Sequence, residues 1–70
     1  MIELTRQREA REWSRNELGR RAHLHPTVVG QIELCRFRPY PGQLDRLARA
    51  LKWDGLPEAL LKEVNDDVGE

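Results

Sequence analysis

This chain has one cysteine, two histidines and no surplus of charge of either sign. Each scarcity excludes something. With Cys35 alone, no disulfide can close within the chain, and one thiol without a signal-peptide pattern suggests a reducing cytoplasm. His23, His25 and Cys35 lack finger spacing, so neither a metal nor another cofactor is expected. No apolar run approaches the roughly 20 residues a bilayer needs, so no membrane partner is expected. No carboxylate pair, nucleophile–base pair or phosphate loop is present. A bundle this small also lacks a pocket of the usual size, so an enzyme is not expected. There is no internal repeat and no low-complexity tract.

What is present fits one domain of 70 residues. Such a chain buries only about 60% of the surface its unfolded form exposes. Its stability is marginal alone, and pairing of two copies is the cheapest remaining source. The zero net charge hides a split. Residues 1–40 carry eight Arg and five acids, whereas residues 41–70 carry four basic and seven acidic side chains. One positive face and one neutral-to-acidic end are implied. Ten of the twelve basic residues are Arg, whose fork matches phosphate and guanine edges better than Lys does. The plain alternative is a solvated, Arg-rich surface.

The periodicity is helical throughout. Residues 2–12 predict a first helix, with Ile2, Leu4, Arg8 and Arg11 on one side and Ala10 and Trp13 completing an apolar seam. Ser14 and Glu17 form a capping box that opens a second helix through Leu18, Gly19 and Ala22. Gly19 would cost roughly 1 kcal/mol against Ala in an exposed helix, so its expected use is close approach of another helix backbone. Pro26 opens a third helix at the position where a missing N–H costs nothing, with His25 as a weak N-cap. Val29 and Ile32 supply its buried side, with Leu34 near the end; Thr27, Gly30 and Gln31 lie opposite. Pro39 and Pro41 forbid helix before residue 41. A fourth helix then carries Leu44, Leu47, Ala48 and Leu51 at i, i+3, i+4 and i+7. Asp54-Gly55 marks a turn, and Pro57 starts a fifth helix. There Leu56, Leu60, Val64 and Val68 sit four apart with Leu61 beside them. That row either caps the monomer core or forms a dimer face. The end from about Asn65 is acidic and expected to fray. The fold class is all-α, a compact bundle of four to five short helices. Two short helices joined tightly at residues 14–33 leave one face of the second free, and in such modules that face usually lies in the major groove.

The residues that carry the pattern resemble a known family. They are Leu4-x3-Arg8, then Trp13-Ser14-Arg15-Asn16-Glu17-Leu18-Gly19-x2-Ala22, then Val29-x2-Ile32-Glu33, Pro39, and Leu44-x2-Leu47-Ala48-x-Ala50-Leu51. Together they resemble the Cro/lambda-repressor-type helix-turn-helix (XRE) family over residues 2–53, about three quarters of the chain. The resemblance implies a helix-turn-helix DNA-binding domain at 1–53 and leaves 54–70 as a C-terminal helix and acidic tail, a possible dimerisation element. It implies that Arg8 and Glu33 form a partly buried ion pair. It places base reading at Pro26, Thr27, Gly30 and Gln31, with Val28 or His25 as additions. It places phosphate contacts at Arg15, Asn16, Arg36 and Arg38, and His25 could join them when protonated. Gln can bond adenine and the Thr methyl can touch thymine. The family often has Gly at four helix junctions where this chain has Glu12, His23, Cys35 and Lys52. Either those sites are left-handed under strain, or the turns differ.

The expected function is a sequence-specific regulator of double-stranded DNA, acting as a homodimer and repressing or activating from a promoter. The alternative is a module that binds a protein partner, such as a toxin or polymerase subunit, with weak or no DNA contact. Trp13 and Trp53 are expected in or beside the core. Cys35 is expected to be an inert helix-end residue.

Overall fold

Proline and polar caps set where the helices begin. A computed structural model describes residues 1–64. In it α1 spans Glu3–Ala10, α2 Arg15–Ala22, α3 Pro26–Glu33 and α4 Pro41–Ala50, and a 3-10 helix covers Pro57–Leu61. Pro26 and Pro41 open α3 and α4 where the lost N–H would be unsatisfied in any case. Ser14 Oγ accepts from the Glu17 N–H at 3.0 Å. The other half of the expected capping box does not form, because the Glu17 carboxylate accepts from Arg20 and Arg21 instead. Those two bonds, against the opposing effect of burial, hold the Glu17 carboxyl below its ordinary value.

All four α-helices end alike. Glu12, His23, Cys35 and Lys52 have φ of 59°, 60°, 61° and 54°, and no glycine among the described residues has positive φ. In each case the next N–H donates to the carbonyl five residues back. The bonds are Trp13 to Arg8 at 3.2 Å, Leu24 to Gly19 at 2.8 Å, Arg36 to Gln31 at 2.9 Å and Trp53 to Ala48 at 2.8 Å. This is the Schellman closure, which satisfies carbonyls a helix end would otherwise leave open. Of the two alternatives the sequence leaves, the chain takes the strained one. The closures are locked from outside: Trp13, Leu24 and Trp53 each follow the left-handed residue and pack against the core.

The core is aliphatic, with Leu4, Leu18, Val29, Ile32, Leu47, Leu51 and Leu60 fully buried. α2 packs on α3 and α4, and the 3-10 helix packs on α1 and α4. Helix one departs from its expected seam. Ala10 is exposed, while Glu3 and Thr5 are buried beside Ile2 and Leu4. Glu3 is satisfied there by Arg6 and Gln7.

The expected fifth helix does begin at Pro57, but it is a short 3-10 helix and not a row continuing to Val64. The helical turn stops at Leu61, and Lys62 is extended. The chain then lies alongside the start of α1: the Glu3 N–H donates to the Lys62 carbonyl at 2.9 Å and the Val64 N–H to the Met1 carbonyl at 2.8 Å. Residues Ile2 and Glu63 form an isolated antiparallel bridge. The cause lies in α1, whose N-cap Ile2 has no side chain able to accept a bond. A backbone carbonyl from the far end of the chain does this instead.

Candidate nucleic-acid interface

α3 is placed by its first residue, its crossing with α2 and one buried carboxylate. At its start, His25 Nδ1 accepts from the Thr27 N–H at 3.1 Å, so the imidazole acts as an N-cap. At the crossing, Gly19 lies against the turn itself. A Cβ there would stand 2.5 Å from the Leu24 carbonyl oxygen and 3.3 Å from Pro26 N. The expected close approach is therefore real, and its partners are the turn's Leu24 carbonyl and the first residue of α3.

At its end, Glu33 is the anchor. Its side chain is 1% exposed. Arg8 Nε donates to Oε2 at 2.7 Å and an Arg8 terminal nitrogen to Oε1 at 3.2 Å. Arg8 also donates to the Trp13 carbonyl at 2.7 Å. Arg15 Nε completes the cluster with a 2.9 Å bond to Glu33 Oε1. One carboxylate thus ties α1, α2 and α3 together through two guanidinium groups. Arg15, expected at a phosphate, has its Nε committed to this cluster and remains half exposed. Its role as a second partner of Glu33 could not be read from spacing.

Arg15 also explains a correction. Gly30, expected on the reading face, is buried. A Cβ on it would meet the Arg15 side chain at 3.5–4.0 Å. It faces the α2 side, and a residue without a side chain gives no pattern that would have revealed this. Leu34 departs in the other direction. Expected with the buried residues, it is 51% exposed. Thr27 is exposed, while Pro26, Val28 and Gln31 are half-buried, Val28 against the core. Residues 27, 31 and 34 are spaced i, i+4 and i+7, so Thr27, Gln31 and Leu34 form one outward stripe. Asn16, His25, Arg36 and Arg38 are all exposed.

Of the two uses open to the C-terminal apolar row, core cap or dimer face, Leu60 takes the first. Leu60 is fully buried in the chain's own core, Leu61 and Val64 are half-buried, and Leu56 alone is strongly exposed, at 74%. Val68 lies outside the described residues. No helix is long and apolar enough to cross a membrane, and no cluster of metal-ligating side chains occurs among the described residues.

A family model described as a helix-turn-helix domain matches residues 2–61. No curated protein and no solved structure matches the chain. The match runs through all four α-helices and the 3-10 helix, past the point where the sequence pattern fades. With its tight α2–α3 turn and the outward stripe on α3, this chain belongs to the helix-turn-helix domain family.

Proposed function

We propose that the domain is a sequence-specific, double-stranded DNA-binding regulator of transcription that lays α3 in the major groove. One observation supports this most. Thr27 and Leu34 are exposed on the outer stripe of α3 with Gln31 half-buried between them, and exposed Arg36 and Arg38 lie in the connector that leaves it. The 3-10 helix, the element that could have closed over α3, packs on α1 and α4 instead. An exposed stripe on a rigid helix with flanking guanidinium groups suits base contact in the groove and phosphate contact beside it.

The domain acts as a cytoplasmic, non-enzymatic binder in this reading, and two copies act on one site. Three side chains along one short helix and its C-cap, Thr27, Gln31 and Leu34, read too few base pairs for specificity alone, and paired half-sites about 34 Å apart supply the rest. Leu56 is the exposed apolar residue at the C-terminal end that such pairing could cover. The second reading, a module for a protein partner, is favoured by Leu34, a large apolar residue exposed on the stripe, and by the zero net charge.

A salt titration of duplex binding separates the two. DNA binding requires affinity to fall steeply with salt, with a log–log slope near −0.9 per neutralised phosphate. Absence of binding to a random duplex pool at low salt would leave only the protein-binding reading.

A further inference from the structure

The reading face of α3 offers no charged group to a base. Its one ionised side chain is Glu33, whose two oxygens are held by Arg8 and Arg15 inside the bundle. It has no basic residue in its last turn and no acidic residue in its first. Guanine is read in the major groove through paired donors from Arg or Lys, and cytosine by a carboxylate accepting from N4. The outward stripe holds neither. Two guanidinium groups touch α3, and both are bound to Glu33: Arg8 from α1, and Arg15, which lies over Gly30 at the crossing with α2 with its Nε bonded to Glu33. His25 is folded back on the helix start, with Nδ1 holding the Thr27 N–H, which leaves one ring nitrogen and no bidentate contact.

What the stripe does hold is specific. Thr27 and Leu34 present methyl groups at its two ends, and between them Gln31 carries a carboxamide with no hydrogen bond to any described residue. A Gln carboxamide pairs with adenine N6 and N7, and apolar groups contact the thymine methyl. Seven residues of helix advance about 10 Å, close to three base-pair steps of 3.4 Å. We propose that α3 reads a run of about three consecutive A·T pairs in each half-site, one adenine through Gln31 and thymine methyls through Thr27 and Leu34, and discriminates against G·C there. This rests on the DNA-binding reading above and specifies its target.

The test is selection of duplexes from a random pool by the full chain at low salt. It is followed by binding to the selected site with thymine replaced by uracil at the enriched steps, which deletes only the 5-methyl group. The expected result is enrichment of A·T at about three adjacent steps. Each contacted methyl lost should weaken binding by about fourfold, the worth of one buried carbon. Leu34→Ala, checked for unchanged helicity, should abolish the uracil penalty at one step and leave the others. Enrichment of G or C at those steps, no enrichment, or uracil without effect overturns this inference while leaving DNA binding intact. Failure to retain any duplex overturns the DNA-binding reading itself.

Discussion

Gly19 and Leu24 touch through backbone where no side chain fits: a Cβ on Gly19 would come within 2.5 Å of the Leu24 carbonyl oxygen. The oxygen cannot retreat freely, since the Leu24 N–H of the same residue is held by the Gly19 carbonyl at 2.8 Å. Gly19→Ala would gain about 1 kcal/mol of helix propensity in a free helix. Here the contact should reverse the sign. Overpacking costs typically 1–3 kcal/mol, so a net loss and a Tm lowered by several degrees are expected in thermal melts followed by circular dichroism. A Tm equal to or above that of the parent would show that the turn can move aside.

The four left-handed residues predict the opposite sign. Cys35 is exposed at φ 61° and forms no disulfide. Cys35→Gly removes a left-handed cost of about 1–2 kcal/mol and gives back about 0.4–1 kcal/mol as added freedom of the unfolded chain. The balance is a gain of between zero and about 1.6 kcal/mol, seen as a higher denaturant midpoint with an unchanged m-value. Cys35→Ala is the control, because alanine keeps the left-handed cost. If both variants melt together, the gain does not come from φ.

These two sites also show how far the sequence could be read. Pro26 and Pro41 mark helix starts by a local rule, so the boundaries of α3 and α4 were legible. The junctions Glu12, His23, Cys35 and Lys52 were legible as positions, but the choice between strain and a different turn depended on Trp13, Leu24 and Trp53 packing from outside. Gly30 and Arg15 were not legible. An eight-residue helix fixes a face only coarsely, and a glycine adds no hydrophobic signal to it. The four-residue spacing of Leu56, Leu60, Val64 and Val68 resembled a helix face, yet pairing of the chain with α1 at Ile2 and Glu3 takes precedence after Leu61. Local periodicity cannot weigh such a distant backbone partner.

Glu33 should be worth more when broken than when replaced. Arg8→Met removes the bidentate partner and leaves a carboxylate, 1% exposed, with Arg15 alone. Stranding a buried charge costs roughly 3–5 kcal/mol, enough to unfold much of a domain this small. Arg8→Met with Glu33→Leu removes both ends of the pair and should recover most of that loss. Urea unfolding of the two single variants and the double variant gives the coupling. A double variant no more stable than the worse single would mean that the pair is not the tie between α1 and α3.

Glu3 makes stability depend on acid. Burial pushes its carboxyl up, but hydrogen bonds from Gln7 and Arg6, with the Arg6 charge, outweigh it and hold the group below its ordinary value of 4.5. The unfolded chain therefore binds more protons than the folded one as pH drops below about 4.5, so stability falls with pH in that range and is constant above it as far as Glu3 is concerned. Glu3→Gln should be less stable than the parent at pH 7 and should show a shallower decline below pH 4.5. Parallel acid limbs for the two proteins, in melts taken from pH 7 to pH 3, would remove Glu3 from the account.

The reading and positioning residues should separate under salt. Arg36 is exposed in the connector after α3 and engages no carboxylate among the described residues. Arg36→Ala should weaken binding to all duplexes alike and make the log–log salt slope shallower by about one unit, since one phosphate contact is lost. Gln31→Ala should leave the slope unchanged. Its loss should appear instead as relaxed discrimination at one base pair, by about 1–3 kcal/mol. The two effects are independent because counterion release counts phosphates, whereas a carboxamide bonded to a base edge releases none. A shallower slope for Gln31→Ala, or lost preference for Arg36→Ala, would mean that α3 sits in the groove at a different angle from the one its exposed stripe implies.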